Sequence, residues 1–328
     1  MVRVLVTGGA GFIGSNFVRR MLTQPDFDVT AVTVLDKLTY AGTLTNLEPV
    51  ANDPRYSFVQ GDICDVELLA ATVPGHDAVV HFAAESHVDR SITGASEFLV
   101  TNVVGTQSML QASLDAGVGR FVHVSTDEVY GSIDEGSWGE DWPLQPNSPY
   151  SASKAGSDLI ARAYHRTHGM DVRITRCSNN YGPHQFPEKV IPLFVTSLMD
   201  GGTVPLYGDG MNIRDWLHVD DHCHGIELVL RGGRSGEVYN IGGGTELTNR
   251  ELTEKILAAT GNDWSSVRPV EDRKGHDRRY SVDITKIATE LGYATQVPFE
   301  QGLLDTVRWY QENESWWRPL QARAALEK

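Results

Sequence analysis

The sequence predicts an α/β fold, with a doubly wound parallel sheet and a smaller mixed α/β lobe. Short apolar runs of strand length alternate with longer stretches of helical period. Closely spaced glycines follow the first apolar run and open the first predicted helix. Beyond residue 177 the sequence becomes polar, irregular and rich in proline and glycine. This change predicts that the chain crosses there into a second lobe.

Composition limits the class of protein and its partners. A chain of 328 residues can bury a large core, as one large α/β unit or as two lobes. The formal net charge of −15 argues against a nucleic-acid partner, because binding to that backbone requires clustered lysine and arginine. Three scattered cysteines are typical of a reducing compartment. No apolar run approaches the roughly 20 residues of a membrane helix, so we expect a cytoplasmic protein with no membrane partner.

The first predicted strand, Val2–Val6, leads into a glycine-rich turn. Gly8, Gly11 and Gly14 are spaced G-x-x-G-x-x-G. Glycine permits a tight turn there and lets the backbone and the helix amino terminus approach a pyrophosphate. Because glycines are common in turns, this pattern alone is weak. Its place between a strand and a helix makes it typical of a Rossmann dinucleotide site.

The second predicted strand, Val29–Leu35, ends at Asp36, about 20 residues beyond Gly14. An acid at this distance accepts hydrogen bonds from the adenine ribose and repels a 2′-phosphate. The sequence therefore favours NAD over NADP, although Lys37 beside the acid keeps NADP open. Asp62, after the third strand, either faces the adenine or caps the helix that begins near Val66.

Further periodic segments complete the prediction. Two long helices, Ala95–Ala116 and Tyr150–His168, either form a four-helix bundle in a homodimer or only cover the sheet. His222, Cys223 and His224 are interpreted as a helix segment and not as a metal site, because alternate residues on a helix diverge. The other predicted strands are Tyr56–Gln60, His76–Phe82, Arg120–Val124, Asp171–Arg176, Val204–Tyr207 and Val238–Ile241, and the other helices are Ile191–Met199, Thr248–Thr260 and Leu303–Trp316.

Thr126, Asp127 and Glu128 follow the buried fifth strand. The carboxyl ends of parallel strands face the ligand crevice, so we expect these side chains there. Adjacent side chains on a strand point apart, but this rule applies less where the chain turns. The alternative is that Asp127 is a cap and Glu128 a solvated loop residue.

Ser148 and Pro149 predict the start of a helix. Tyr150 and Lys154 then lie at i and i+4 on one helix face. A cation and a helix amino terminus both favour a phenolate, so Tyr150 is expected to act as a base with a pKa below its usual value of about 10. The alternative is an ordinary surface pair.

The chain resembles the extended short-chain dehydrogenase/reductase family and, more narrowly, the dTDP-glucose 4,6-dehydratases, over nearly its whole length. The resemblance is carried by the glycine-rich turn, by Thr126–Glu128 and by Tyr150 with Lys154. Four further strings are similar to that family: HFAAESHVDRS (81–91), SNNYGP (178–183), RDWLHVDDH (214–222) and GHDRRY (275–280). The chain departs from the family at Lys274, where relatives have proline.

The resemblance implies a site for each of two ligands. It predicts an NAD-binding domain over 1–177 and 215–241, and a nucleotide-sugar-binding domain over 178–214 and 242–328. With the glycines of the turn, the predicted cofactor contacts are Gly8, Gly11, Phe12, Ile13, Gly14, Asp36, Lys37, Asp62, Ile63, Ala83, Ala84, Thr101, Tyr150, Lys154 and Asn180. The implied substrate contacts are Ser86, Thr126, Asn179, Lys189, Pro205, Tyr207, Arg214, Asn249, Arg273 and His276. Lys189 and Arg214 are predicted to bind a diphosphate; the alternative is that they are surface charges.

The implied activity is that of a lyase converting dTDP-glucose to dTDP-4-keto-6-deoxyglucose and water, with NAD as a recycled cofactor. Tyr150 would take the hydroxyl proton at sugar carbon 4, with Thr126 bonded to the same oxygen. Glu128, ionised, would take the proton at carbon 5. Asp127, protonated, would deliver a proton to the departing hydroxyl at carbon 6. Lys154 would support the phenolate.

Other functions remain open at this point. A 4,6-dehydratase of a UDP-sugar would share every motif. A nucleotide-sugar 4-epimerase would need Tyr150, Lys154 and NAD, but not the Asp127–Glu128 pair. A noncatalytic NAD-binding protein would be expected to have lost Tyr150 or Lys154, and this chain has both.

Overall fold

The computed structural model describes residues 2–24 and 27–326. The strands are β1 Val2–Thr7, β2 Val29–Asp36, β3 Tyr56–Gln60, β4 Ala78–His81, β5 Arg120–Thr126, β6 Val172–Cys177, β7 Asn179–Tyr181, β8 Val204–Tyr207, β9 Ile213–His218, β10 Val238–Ile241, β11 Glu246–Thr248 and β12 Val267–Val270. The α-helices are α1 Phe12–Thr23, α2 Val66–Thr72, α3 Val88–Thr93, α4 Ala95–Phe98, α5 Thr106–Asp115, α6 Pro149–His168, α7 Val190–Met199, α8 Val219–Gly232, α9 Asn249–Thr260, α10 Thr285–Leu291, α11 Phe299–Glu312 and α12 Glu314–Leu326. Short 3₁₀ segments cover Leu44–Val50, Asp127–Tyr130 and Trp264–Ser266, and a π-helix covers Leu99–Gly105.

The main sheet has seven parallel strands in the order β10-β6-β5-β4-β1-β2-β3. This order runs outward from β1 in both directions, which confirms the predicted doubly wound fold. Smaller sheets of three strands, β11-β9-β7, and of two strands, β12-β8, belong to the mixed part of the structure. No helix in the described residues is long and apolar enough to cross a bilayer.

The sheet is buried on both faces, which explains why its strands are continuous apolar runs. Val4 and Val6 of β1 join a core with α1 and α8, whereas Leu5 between them joins a second core with α5 and α6. Successive side chains of a strand point to opposite faces, so one short strand supplies both cores. Fully burying each such side chain contributes about 1.5–3 kcal/mol.

Several element predictions were wrong in extent. The helix predicted over Ala95–Ala116 is interrupted by the π-helix at Leu99–Gly105, and the one predicted over Leu303–Trp316 is two helices separated at Asn313. The strands β7, β9, β11 and β12 were not predicted. Strand β9 lies in the three-stranded sheet, whereas α8, which follows it directly, packs on β5 and β6 of the main sheet. The predicted domain limits stay a prediction.

The last helix, α12, reaches across to the loop that follows β2. Trp316 Nε1 donates a hydrogen bond to Asn46 Oδ1 at 3.0 Å, and Leu320 packs with Tyr40 and Phe186. Arg323 donates to the carbonyl oxygen of Tyr40. These contacts tie the carboxyl-terminal part of the described chain to the first lobe.

Candidate active site

A cleft of about 340 Å³ lies at the carboxyl ends of β1, β2, β4, β5 and β6. This is where a doubly wound sheet binds its ligands. The residues predicted for catalysis also line it: Thr126, Asp127, Glu128, Tyr150 and Lys154. Every predicted cofactor residue lines the same cleft: Gly8, Gly11, Phe12, Ile13, Gly14, Asp36, Lys37, Asp62, Ile63, Ala83, Ala84, Thr101, Tyr150, Lys154 and Asn180.

The glycines of the first turn are required by close packing. Gly8 has a φ of +69°, and a Cβ there would lie 2.6 Å from the amide nitrogen of Ala83. A Cβ on Gly14 would collide with the carbonyl of Gly8. At Gly11 there is more space, because the one described atom that an added Cβ would approach is the Gly8 oxygen, at 3.4 Å. No side chain of the described residues caps the amino terminus of α1. The helix amino terminus is therefore open for a phosphate.

Asp36 is held at the end of β2 by backbone amides. Its carboxylate accepts hydrogen bonds from Ala10 N at 2.9 Å and Leu38 N at 2.8 Å, and burial raises its pKa. Lys37 forms an ion pair with Asp62, with 2.8 Å between Nζ and Oδ2. Asp62 does not cap α2; Asp65 does, by accepting from Leu68 N, so the capping interpretation of Asp62 was wrong.

The two acids lie where the chain leaves the sheet. β5 ends at Thr126, whose hydroxyl accepts from Glu128 N at 3.2 Å, and the chain turns at once into a 3₁₀ segment. Asp127 is buried, and its Oδ2 has no hydrogen-bond partner in the described part of the chain. Burial raises the pKa of both acids, and Glu128 and Asp215 raise that of Asp127 further. For Glu128, Arg214 and Lys189 oppose the rise.

The start of α6 is as predicted. Ser148 caps it in a reciprocal pair with Ser151, and Pro149 is the first helical residue. Lys154 Nζ donates to the carbonyl oxygen of Val124 at 2.8 Å. Tyr150 and Lys154 are both buried, so the surface-pair alternative was wrong.

The expected lowering of the Tyr150 pKa was wrong for this structure. Burial raises the pKa of the phenol well above its usual value, and the nearby Glu128 raises it further. A hydrogen bond with Thr126 lowers it only in part. The i, i+4 spacing predicted that Tyr150 and Lys154 share one face of α6, and both are buried there, but it could not show how deeply the phenol is buried or that an acid faces it.

The predicted substrate residues divide into two groups. Four of them line the cleft with the cofactor residues: Ser86, Thr126, Asn179 and Lys189. The other six are outside its lining: Pro205, Tyr207, Arg214, Asn249, Arg273 and His276. Lys189 joins its group directly, because its Nζ donates to the carbonyl oxygen of Ser86 at 2.8 Å.

Arg214 is a buried cation and not a surface charge. Its guanidinium donates to the carbonyl oxygens of Ile213 at 2.7 Å and Asp277 at 3.0 Å, and lies over the ring of Tyr280 at 4.2 Å. Its effect on the pKa of Glu128 shows that its charge reaches the cleft wall. The surface-charge alternative for Arg214 was wrong.

Arg273 and His276 pair with acids of their own surroundings. Arg273 Nη2 donates to Asp89 Oδ2 of α3 at 2.9 Å and the guanidinium lies over Tyr207, while His276 Nδ1 is 2.6 Å from Asp272 Oδ1. The loop around Lys274 is thus joined to α3 by an ion pair. No sequence pattern predicted the pair of Arg273 and Asp89, because these two residues are distant along the chain.

His222 orients a predicted cofactor residue. Its Nδ1 lies 2.9 Å from Oδ1 of Asn180, whose Nδ2 donates to the carbonyl oxygen of Ser178. Burial lowers the pKa of His222 to about 3, so the ring is neutral and donates from Nδ1. In the described residues no group of three or more histidines, cysteines and acids could hold a metal ion.

Asp215 is a residue that sequence reasoning missed. It accepts from Ser178 Oγ at 2.6 Å, Gly243 N at 3.0 Å and Thr245 N at 2.9 Å. It therefore joins β9 to the segment beside the cleft and adds to the charges that raise the pKa of Asp127. Its place beside Arg214 in the RDW string was the available signal.

This fold and this site define an extended short-chain dehydrogenase/reductase, with a glycine-rich turn and a tyrosine–lysine helix at one cleft. A family model described as GDP-mannose 4,6 dehydratase matches residues 5–306. The dTDP-glucose 4,6-dehydratase of Streptomyces niveus is 61% identical over 98% of this chain and 96% of its own length. The chain belongs to the dTDP-glucose 4,6-dehydratase family.

Solved structures agree with this assignment. The crystal structure of DesIV, a dTDP-glucose 4,6-dehydratase from Streptomyces venezuelae with NAD bound, matches with a TM-score of 0.96 and 69% identity, covering 97% of this chain and 99% of that one. The UDP-glucose 4-epimerase of Thermotoga maritima matches with a TM-score of 0.87 and 31% identity, covering 95% and 99%. The fold is therefore shared by dehydratases and epimerases, and the side chains of the cleft must distinguish them.

Proposed function

We propose that this chain is an NAD-dependent dTDP-glucose 4,6-dehydratase, a lyase that forms dTDP-4-keto-6-deoxyglucose and water. The observation that carries the proposal is the position of Asp127 and Glu128, two acids in the wall of the cleft that also contains Tyr150 and Lys154. An epimerase needs only the tyrosine and lysine. Relatives above 60% identity over nearly the whole chain carry the same name.

The residues of the cleft fit NAD. The open amino terminus of α1 and the space at Gly11 suit a pyrophosphate. The Asp36 carboxylate can accept further hydrogen bonds from ribose hydroxyls. Lys37, the cation that could bind the 2′-phosphate of NADP, is instead paired with Asp62, which favours NAD. Bound NAD would accept a hydride from sugar carbon 4 and return it to carbon 6.

Tyr150 is proposed as the base for the first step. It takes the proton of the hydroxyl at carbon 4 as the hydride leaves that carbon, and Thr126 donates a hydrogen bond to the same oxygen. The raised pKa of the buried phenol makes this step depend on nearby positive charge. Lys154 supplies such a charge one helical turn away.

Glu128 and Asp127 are proposed for the elimination. The new ketone acidifies the hydrogen at carbon 5, which the ionised Glu128 removes. When the hydride adds to carbon 6, the protonated Glu128 returns a proton to carbon 5. Asp127 gives its proton to the hydroxyl at carbon 6, which leaves as water. The partnerless Oδ2 of Asp127 is the atom with a free position for that hydroxyl. Burial and the neighbouring carboxylates raise the pKa of Asp127 well above its usual value, which favours the protonated form that this role requires.

The predicted substrate residues keep their proposed roles. Lys189, Arg214 and Arg273 are proposed to bind the diphosphate. Ser86 and Thr126 are proposed to contact the sugar, and the remaining substrate contacts are proposed as Asn179, Pro205, Tyr207, Asn249 and His276.

We propose a homodimer formed through α5, α6 and the π-helix. Leu99, Val100, Val104 and Leu159 are about half exposed on this part of the surface, which is unusual for large apolar side chains. The homodimer is tested by the mass of the protein in solution. The cytoplasm is the proposed location, supported by the free state of Cys64, Cys177 and Cys223.

The test is a product assay with dTDP-, UDP- and GDP-glucose. We expect loss of one water from dTDP-glucose and no net NADH. Substrate carrying deuterium at carbon 4 should give product with that deuterium at carbon 6, and a reaction in heavy water should place solvent deuterium at carbon 5. Formation of a 4-epimer alone would show the protein to be an epimerase. Dehydration of UDP-glucose in preference to dTDP-glucose would show it to be a UDP-sugar 4,6-dehydratase.

A further inference from the structure

The buried face of α6 carries a third charged group in line with the first two. Tyr150, Lys154 and Asp158 follow one another at four-residue spacing, and all three are buried. Side chains at this spacing lie above one another on a helix. Asp158 lies one turn beyond Lys154, on the side away from Tyr150.

Asp158 is held by the side chain of Arg176 and lies beside that of His123. Its Oδ2 accepts from Arg176 Nε of β6 at 2.8 Å, and its Oδ1 lies 3.2 Å from His123 Nε2 of β5. Arg176 is fixed in turn by Tyr130, whose hydroxyl lies 2.8 Å from Nη1 and donates to Asn240. The carboxylate is therefore anchored independently of Lys154.

Lys154 needs a partner of this kind. Its described hydrogen bond goes to the Val124 carbonyl, a neutral group. A buried ammonium without an anion tends to lose its proton. A neutral Lys154 would keep its place on the helix but would no longer offer a positive charge to Tyr150.

We propose that Asp158 is a positioning residue that keeps Lys154 protonated and thereby available to the Tyr150 phenol. The inference rests on the proposed function, in which Tyr150 is the base. Asp158 acts through Lys154 and touches neither ligand.

The charges around Lys154 support this role. Burial lowers the pKa of Lys154 to about 8, and Asp158 is the first group that opposes the fall. Although burial raises the pKa of Asp158, Arg176 and His123 hold it at about 2, so the carboxylate is ionised.

Other groups near Lys154 are poor substitutes for Asp158. Cys177 on β6 stays a thiol because burial raises its pKa. Burial lowers the pKa of His81 on β4 and of His123 on β5, which favours the neutral form of both rings. Asp127 and Glu128, after β5, act on the phenol of Tyr150 instead.

The competing explanation is that Asp158 only joins α6 to β6. Both explanations predict a less stable protein when the carboxylate is lost, so stability does not separate them. They differ in pH dependence. If Asp158 keeps Lys154 charged, its loss lowers the Lys154 pKa and the alkaline limb of the kcat profile moves to lower pH.

The experiment compares three variants with the parent over about pH 6 to 10, using dTDP-glucose and excess NAD. D158N removes the charge, D158E retains it, and E227Q is the matched control. Glu227 is also a buried acid paired with arginine, at 2.9 Å from Arg20, but it lies between α8 and α1. A melting temperature for each variant reports folding separately.

We expect a parent alkaline limb near pH 8. In D158N the limb should move down by about one pH unit or more, which is about a tenfold loss of kcat at pH 8 to 9. D158E and E227Q should keep the parent limb. If D158N does not fold, D158S takes its place with the same expectation.

Three results would overturn the inference while leaving the proposed function intact. The first is a parent enzyme that is active but has no alkaline limb between about pH 7 and 9. The second is a folded D158N whose kcat falls equally at every pH, and the third is an E227Q limb that moves as far as that of D158N. Failure of the proposed function is separate, because the parent would then release no 4-keto-6-deoxy product.

Discussion

Backbone atoms form much of the cofactor wall of the cleft at the start of α1, whereas the second lobe, beyond the cleft lining, carries charged side chains that already have partners. On the first side, Gly8, Gly14 and the open start of α1 shape the wall. On the second side, Arg273 pairs with Asp89 and Arg214 binds backbone carbonyls. A backbone wall is ready for its ligand, but paired side chains must exchange partners to bind one. The free-energy cost of rearranging the protein on binding is therefore expected to be smaller for the cofactor than for the nucleotide sugar.

The largest expected effect is on the acids between the two sides. In D127N/E128Q we expect elimination to slow by about 10²–10⁴-fold, because a general acid and a general base are both lost. Oxidation at carbon 4 should survive, since Tyr150 and Lys154 are unchanged. Rapid mixing should therefore show NADH absorbance that persists where the parent shows none. Dehydration at the parent rate would contradict the assigned roles.

The next effect tests the backbone side. In G14A the new Cβ collides with the Gly8 carbonyl, so the turn must shift, at a cost of about 1–3 kcal/mol. We expect about 10–100-fold weaker NAD binding by titration calorimetry. The control is G139A, where a Cβ would meet only Trp142 among described atoms, at 3.8 Å. Equal NAD affinity in G14A and the parent would show that the wall is adaptable.

A smaller effect tests how the second side acts on the first. Arg214 opposes the burial that raises the pKa of Glu128, so R214Q should raise that pKa further. Glu128 must be ionised to accept a proton. The acidic limb of kcat/KM should therefore move to higher pH, by about one unit. A limb that stays in place while KM rises would restrict Arg214 to substrate binding.

The smallest effect concerns the Arg273–Asp89 pair. It is partly exposed, and such pairs contribute about 0.2–1 kcal/mol. In D89N the ion pair is absent, so Arg273 no longer has to break it in order to bind substrate. KM for dTDP-glucose should therefore fall by up to about fivefold, with NAD affinity unchanged. D200N, which removes the Asp200–Arg318 pair, is the control. A KM that rises in D89N would mean that the ion pair holds the loop in its binding position.

The sequence allowed prediction of the parts that depend on local patterns. The apolar runs predicted the parallel sheet because its strands are buried on both faces, and Ser148–Pro149 predicted the start of α6. The short strands β7 and β11 were missed because three residues show no period. The raised pKa of Tyr150 was missed because burial depends on tertiary packing.

The candidate site shows the same limit. Its lining residues could be predicted by spacing and resemblance, but their partners could not, since Arg273 and Asp89 are far apart along the chain. Asp158 is an exception. Its four-residue spacing from Lys154 was visible in the sequence, and only its burial and its contact with Arg176 were not.

The contacts of α12 join the carboxyl-terminal part of the described chain to the cofactor side of the cleft. Trp316 and Leu320 fasten this helix to the loop that follows β2, beside the adenosine end of the proposed NAD site. Arg273 of the second lobe and Asp89 of α3 form a partly exposed ion pair outside the cleft lining. Buried packing thus joins α12 to the cofactor side, whereas one partly exposed ion pair joins the Arg273 loop to α3, and we expect the sugar nucleotide to enter and leave on the Arg273 side.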